Sequence, residues 1–284
     1  MNIAGLVILY HPDNHLIRNI QTYRYLINRL YIIDNSENGH NETIEQLVKL
    51  DDSILIKDGK NKGIAASLNQ GCSLAKNDGF TELLTMDQDS FFSPENISGY
   101  LNCVMNFPDK STVAMFGIQF ENVAMQSRNC AAEKVTHLIT SGSIINLDLF
   151  ELIGGFDENL FIDEVDSEYC YRAYHKGYQV VQFKNVFLEH SLGTKSYHKS
   201  LKTFRTTIRT LHSPIRLYYM TRNFLYIKAK YKKQFPDAMV KRKQALLNNI
   251  KNNILYNKQR MLVCKYILQG YLDYKSNTMG KYKN

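Results

Sequence analysis

The sequence predicts an α/β fold, a mostly parallel central sheet flanked by helices, carrying a basic helical C-terminal extension. Three observations predict it. Short apolar runs alternate with helix-period segments from Ile3 to Met86, the rhythm of parallel strands joined by crossover helices. Carboxylates stand at the ends of the later runs, at Asp34, Asp58 and Asp87/Asp89. Charge is also divided: residues 1–194 hold 14 Lys/Arg against 25 Asp/Glu (net −11), and residues 195–284 hold 21 against 2 (net +19).

With 284 residues, 44% hydrophobic and 22% charged, the chain is large enough for one α/β domain, or a domain with an appendage. The basic end points to polyanions as partners: nucleotide phosphates, an anionic membrane or nucleic acid. The five cysteines are odd in number, widely spaced and free of C-x-x-C. Neither a zinc site nor a disulfide framework is favoured, and a reducing cytosol fits best. The opening run Ile3–Leu9 has no basic segment before it and reads as a first strand rather than a signal peptide. No run reaches about 18 uninterrupted apolar residues, so membrane contact is expected to be peripheral.

The elements follow in order. Residues 3–10 form a continuous apolar run, a buried parallel strand stopped by Pro12. Residues 16–25 are helical, with Asn14 as cap. A strand over 28–33, a helix over 41–49 and a strand over 53–56 come next. Lys60-Asn61-Lys62-Gly63 opens a helix over 64–76, whose Ala65, Ala66 and Gly71 suit close packing. Residues 82–86 make the fourth strand. Beyond it the sequence predicts a helix over 96–106, strands over 111–120, 135–140 and 143–146, and a short helix over 147–153. An acid-rich stretch then leads into a helix over 169–176 and a strand over 179–186. Past residue 193, Lys/Arg alternate with Tyr/Phe; Pro214 suits a helix start, and residues 241–272 read as one long amphipathic helix. Three uses of that helix stay open: docking on the catalytic part, lying in a membrane interface, or building a partner surface.

Asp87-Gln88-Asp89 ends the fourth strand. Period-2 geometry would point both carboxylates to one side at the strand's mouth, where hard oxygen ligands suit Mg²⁺ or Mn²⁺ held with substrate phosphates. Ligands of open α/β sheets bind at the carboxyl ends of the strands, where Asp34 and Asp58 also fall. Neither G-x-G-x-x-G after the first strand nor a P-loop occurs, which disfavours classical dinucleotide binding and P-loop hydrolysis. Asp166 and Glu168 stand at the mouth of a helix, where one carboxylate facing the pocket can act as a general base.

Taken together, Ile3–Tyr10, Ile33-Asp34-Asn35-Ser36, Asn61-Lys62-Gly63-Ile64-Ala65, Asp87-Gln88-Asp89-Ser90 and Gly154-Gly155-Phe156-Asp157-Glu158 occur in an order and spacing that resembles the family 2 inverting glycosyltransferases of GT-A fold, rhamnosyltransferase-like branch. Phe161-Ile162-Asp163 through Arg172-Ala173 looks like that branch's acceptor-side motif, with Val165-Asp166 where the broader family has Glu-Asp. Arg216-x-Tyr218-Tyr219-x-x-Arg222-Asn223 looks like its C-terminal signature. The resemblance implies a GT-A nucleotide-diphospho-sugar transferase fold, with a catalytic domain over 1–210 (nucleotide-binding half 1–95, acceptor-side half 96–210) and a basic helical region over 211–284. It implies Tyr10, Asp34, Asp58, Lys62, Asp87 and Arg222 toward the donor nucleotide, with Asp34 on the base edge and Asp87 on the ribose. Lys195 is an alternative to Arg222 as diphosphate partner. Asp89 and His190 would hold Mg²⁺ or Mn²⁺, Asp166 would be the base, and Asp163 and Glu168 would line the acceptor side.

The chemistry implied is one in-line displacement from a dTDP- or UDP-sugar, with dTDP-β-L-rhamnose leading, to a lipid-linked or growing surface saccharide, an O-antigen for example. The implied setting is the cytoplasmic face of the inner membrane, with the basic end against anionic lipid, a homodimer as an option and nucleic acid excluded. Two rival classes stand beside it. A nucleotidyltransferase would show a Gly-rich basic loop after the first strand, which Tyr10-His11-Pro12-Asp13 is not. A non-enzymatic basic membrane- or nucleic-acid-binding module leaves the acidic first 194 residues unexplained.

Overall fold

The computed structural model describes residues 2–37, 42–119, 130–190, 196–199, 206–209 and 211–283, with backbone only for 190, 196–199 and 206–209. The expectations placed on Lys195, on the His190 side chain and on the side chains of the basic stretch before Thr210 lie outside the described residues. Two units make up the chain: Met1–Glu158 with Val165–Ser191, and Asn159–Glu164 with Leu192–Asn284.

The first unit opens with β1 (Ile3–Leu9), α1 (His15–Arg24), β2 (Arg29–Asp34), α2 (Glu42–Val48), β3 (Ser53–Lys57), α3 (Ile64–Asn77) and β4 (Glu82–Asp87). It continues through β5 (Ser90–Phe91), α4 (Pro94–Met105), β6 (Val113–Gln119), β7 (Ala132–Lys134), β8 (Ser143–Asn146), α5 (Leu147–Ile153), α6 (Val165–His175), β9 (Gln179–Phe187) and β10 (Glu189–His190). Eight strands form one sheet in the order β3-β2-β1-β4-β8-β6-β9-β7. The four strands that lead the sequence pair in parallel, and β6 pairs in parallel with β9. β8 runs antiparallel between β4 and β6, and β7 antiparallel on the far edge. The sheet is therefore mixed, with its parallel half at the N-terminal end.

Burial explains the apolar runs. β1 and β4 are covered on both faces, and their side chains are buried until Asp87 emerges at the end. Helix α3 lies against β1 at Gly71, where a Cβ would come within 2.4 Å of Leu6 Cδ2. Helix α4 starts with Ser93 Oγ accepting from the Asn96 N–H and Pro94 in its first turn.

Several boundaries differ from expectation for identifiable reasons. Asn14 does not cap α1; its side chain accepts from Thr43 Oγ1, and Asp13 Oδ1 takes the His15 N–H. Residues 135–140 are not a strand, the edge pairing being made by Ala132–Lys134 instead. Helix α6 begins at Val165, so Asp166 and Glu168 sit inside its first turn rather than ahead of it. Cys103 on α4 and Cys130 before β7 are joined as a disulfide, which corrects the expectation from cysteine spacing. Their sequence separation of 27 matches no motif, and only the fold brings them together.

The second unit contains β11 (Ser196–Lys199) paired with β12 (Thr206–Arg209), then α7 (Pro214–Tyr231), α8 (Pro236–Tyr256) and α9 (Arg260–Lys275). The expected long helix over 241–272 is two. Asn257 adopts extended backbone (φ −74°, ψ 140°), its Oδ1 accepts from the Gln259 N–H and its Nδ2 donates to the His212 carbonyl. Those bonds reward the break. Helix α9 meets α7 at Gly270, where a Cβ would lie 2.7 Å from the Tyr218 carbonyl oxygen.

Candidate active site

In register, Leu9 pairs with Asp34 on one side, and Ile8 with Asp87 on the other. The tip of β1 thus separates Asp34 from Asp87 by two strand spacings, roughly 10 Å. Around this tip the loops are tied together. The Tyr10 N–H donates to Gln88 Oε1 (2.8 Å), and Gln88 Nε2 donates to the Tyr10 carbonyl (3.2 Å). The His11 N–H donates to Ser36 Oγ (2.8 Å) and the Asn35 N–H to the Leu9 carbonyl (2.8 Å). Asn35 Nδ2 reaches Ser67 Oγ at 3.0 Å, and Asn61 Oδ1 accepts from the Gly63 N–H. Gly63 holds φ +84° at the start of α3, a conformation open to glycine at no steric cost.

Asp34 is fully buried. Its Oδ1 accepts from the Ser36 N–H at 2.9 Å, and Lys57 Nζ lies 3.0 Å from Oδ2. The Lys57 side chain is partly exposed, whereas that of Asp34 is wholly buried. Asp58 and Lys62 form an exposed ion pair, and the Lys62 ammonium bonded to Asp58 holds its carboxyl below the usual carboxylate value. The Tyr10 ring is nearly half exposed; partial burial, with Glu37 nearby, raises its hydroxyl pKa.

Strand β4 ends at Asp87, so period-2 geometry stops there, and Gln88-Asp89 form a turn. The two carboxylates line different recesses, contrary to expectation. Asp87 borders one with Leu6, Ile8, Ile64, Met86 and Thr140, and Asp89 borders another with Pro12, Asp13, His15 and Asn19. The Ser141–Ser143 corner supports this turn. Ser141 Oγ accepts from the Asp87 N–H (3.1 Å) and meets Ser90 Oγ (3.0 Å), while the Gly142 N–H donates to the Thr85 carbonyl. His190 lies opposite Ser90 in the β5–β10 register, next in sequence to Asp89. Among the described residues no three His, Cys, Asp or Glu side chains gather as a metal cage. Asp89, partly exposed at a recess mouth, fits the lesser demand of Mg²⁺ or Mn²⁺, which is met by one or two carboxylates together with substrate phosphates.

Asp166 is half-buried in the first turn of α6. Beside it, Ser167 Oγ lies 3.2 Å from His137 Nδ1, a histidine on no motif. Upstream, Asn69 of α3 holds the Gly155–Glu158 corner: its Oδ1 accepts from the Phe156 N–H (2.7 Å), and its Nδ2 donates to the Phe156 carbonyl (3.0 Å) and Glu158 Oε1 (2.8 Å).

Two expected site residues are placed elsewhere. Glu168 is fully buried and paired with Arg172, Nη2 to Oε2 at 2.7 Å, so its carboxylate neutralises a core arginine instead of facing an acceptor. Arg222 is 0% exposed. Its guanidinium donates to the Tyr218 hydroxyl (2.9 Å), Asn223 Oδ1 (3.0 Å) and the Asn159 carbonyl (3.5 Å), and no surface is left for a diphosphate. Its work is on residues 159–164, where Asp163 and Glu164 hold consecutive left-handed backbone (φ 65° and 67°). Asn223 Nδ2 donates to the carbonyls of Ile162 and Asp163, Arg216 pairs with Asp163 at 2.7 Å, and Arg242 pairs with Glu164. Such positions cost about 1–3 kcal/mol each, and these partners hold them.

Residues 14–134 match the glycosyl transferase family 2 model. The chain is a glycosyltransferase, similar to family 2 over those residues. A dTDP-rhamnosyl transferase, RfbF of Shigella flexneri, is 28% identical to this transferase over 251 residues, 81% of each chain. Among solved structures, residues 1–349 of TarS from S. aureus in complex with UDP-GlcNAc share the fold, with a TM-score of 0.63 at 13% identity over 96% of this chain and 80% of that one. GalNAc-T7 with UDP, GalNAc and Mn²⁺ gives 0.61 at 11% identity over 98% of this chain and 58% of that one. At such identities the transferase shares with both a GT-A architecture.

Proposed function

We propose that this transferase moves L-rhamnose from dTDP-β-L-rhamnose to a hydroxyl of a lipid-linked or growing surface polysaccharide, with inversion, at the cytoplasmic face of the inner membrane. The observation that carries the reading is the likeness to a dTDP-rhamnosyl transferase over 81% of both chains.

The buried Asp34 carboxylate orients Lys57, whose partly exposed ammonium donates to a carbonyl oxygen of the thymine or uracil edge. The exposed Tyr10 ring covers the base, Asp87 takes ribose hydroxyls, and the Asp58–Lys62 pair flanks the nucleotide. Asp89, with His190, would hold the divalent ion, which would supply positive charge to the leaving diphosphate. Asp166 accepts the proton of the acceptor hydroxyl from a distance of roughly 3 Å. The hydroxyl oxygen forms its bond to the anomeric carbon from the face opposite the diphosphate, and the bond to the phosphate oxygen breaks with its electron pair leaving on dTDP. Asp163, fixed by Arg216, lines the acceptor side. Glu168 serves by pairing with Arg172, and Arg222 by holding the Asn159 carbonyl.

Calorimetric titration with dTDP-β-L-rhamnose, UDP-GlcNAc and a GDP-sugar, with and without Mn²⁺, tests the reading. Binding of the dTDP-sugar in preference to the others is expected. Indifference to all three would overturn it, and preference for UDP-GlcNAc would move the donor assignment.

A further inference from the structure

Helices α8 and α9 carry a surface that the transfer chemistry does not use. Helix α9 buries Val263 and Gly270, seven residues apart. At about 100° per residue, Met261, Leu268 and Leu272 lie roughly 160° away from that row, on the outward face. Met261 is 86% exposed, Leu268 58% and Leu272 48%, with Lys265 between them in the same row. An ordinary surface helix is polar opposite its buried stripe, and α9 is apolar there. Helix α8 carries a second apolar row: Met239, Leu246 and Asn253 are its buried row, and the exposed Val240, Leu247 and Ile254 follow one residue later, about 100° round the helix, at the same spacing. Lys243 and Lys251 flank that second row.

The charge selects the occupant. Residues 236–275 contain eight Lys/Arg and two Asp/Glu, and Asp273 is bonded to the Tyr218 hydroxyl and Gln269. A second copy seated on this face would set lysines against lysines. Anionic headgroups neutralise them, while the acyl boundary accepts the leucines and Met261. Among the described residues no helix is long and apolar enough to cross a membrane.

We propose that the outward rows of α8 and α9 are a docking surface for an anionic phospholipid bilayer, entered by Val240, Leu247, Met261, Leu268 and Leu272 with the lysines at phosphate depth. Arg242, between Lys241 and Lys243, pairs with Glu164, so the docked helix also holds the segment that leads into Asp166. The purpose of docking rests on the lipid-linked acceptor proposed above; its chemistry does not.

The test is flotation of the full chain with vesicles of phosphatidylglycerol and phosphatidylethanolamine, against vesicles of phosphatidylcholine alone. Binding to the anionic vesicles only is expected, and the Leu268→Glu/Leu272→Glu variant should lose about tenfold in partitioning. Lys243→Gln/Lys251→Gln/Lys265→Gln should weaken binding and flatten its salt dependence. A dTDP-induced thermal shift retained in each variant reports an intact fold and tests the donor reading separately. No flotation of the wild-type chain, or equal flotation of the Leu268→Glu/Leu272→Glu variant, overturns the proposal while leaving the transferase reading in place. A lipid-free dimer by light scattering that the leucine variant dissolves overturns it in favour of self-association.

Discussion

Gln88 grips Tyr10 by both of its backbone groups, accepting from the N–H at 2.8 Å and donating to the carbonyl at 3.2 Å. The middle residue of the Asp87-Gln88-Asp89 triplet therefore fixes the loop that follows β1. Gln88→Ala removes two bonds worth about 1 kcal/mol each. Donor affinity should fall roughly tenfold, and the melting temperature should drop by a few degrees. Calorimetry with dTDP-β-L-rhamnose reads the first and thermal denaturation the second. An unchanged affinity would detach Tyr10 from the donor.

Asp166→Asn keeps the side chain's shape and removes its basicity. Transfer should slow by about 10²–10⁴-fold while donor binding stays within twofold of wild type, about 0.4 kcal/mol. Retained turnover in single-turnover assays would move the base elsewhere, with His137 the next residue to test.

Arg172→Ala should cost about 3–5 kcal/mol of stability, because it leaves the Glu168 carboxylate buried and unpaired. Replacing both residues by leucine should recover most of the loss, though the arginine's bonds to the carbonyls of Ile153 and Gly155 go with it. Urea denaturation measures all three proteins. A double variant no better than the single one would mean that the carbonyl bonds, rather than the ion pair, carry the stability.

His212 gives a pH dependence with a definite sign. Burial, and then the neighbouring Arg216, lower its imidazole pKa below the ordinary value, while Asp163 acts in the opposite direction. The unfolded chain therefore binds the extra proton first. This contribution is full above about pH 6.5 and is lost as pH falls toward the folded-state value. Melting temperatures taken between about pH 7.5 and 5.5 should drop less steeply in His212→Gln. A steeper drop in the variant would contradict the assignment.

Reduction of Cys103–Cys130, which closes a span of 27 residues, should cost about 3–4 kcal/mol on the chain-entropy account. Differential alkylation and mass spectrometry give the oxidation state, and denaturation with and without dithiothreitol gives the cost. Equal stability of both forms would show that the link constrains nothing.

What was legible in the sequence was whatever a local pattern dictates. The buried strands β1 and β4 reveal themselves as unbroken apolar runs, and α5 starts and stops at its predicted ends because Asn146 caps it and Gly154 takes left-handed backbone. Asp34 and Asp87 fall at strand ends as read. What depends on distant partners was not legible. Arg222 looks like a phosphate ligand in sequence, and only the packing of Tyr218, Asn223 and Asn159 around it shows a buried strut. Glu168 gave its one local clue four residues on, at Arg172, the spacing of a helical ion pair. The turn at Gln88-Asp89 ended the alternation on which a shared carboxylate face depended. The Cys103–Cys130 link and the Asn69 clasp on Phe156 join residues 27 and 87 positions apart, with no periodicity to announce them.

The membership of residues 159–164 bears on how chimeras of this chain are to be built. This short segment interrupts the first unit in sequence and belongs to the second: its partners Arg216, Arg222, Asn223 and Arg242 all come from beyond residue 210. A chimera spliced at residue 191 would give one parent's left-handed Asp163–Glu164 turn to another parent's arginines. Exchange of this turn between relatives therefore calls for two crossovers, one on each side of it, or for transplanting the turn and its clamp as a single cassette.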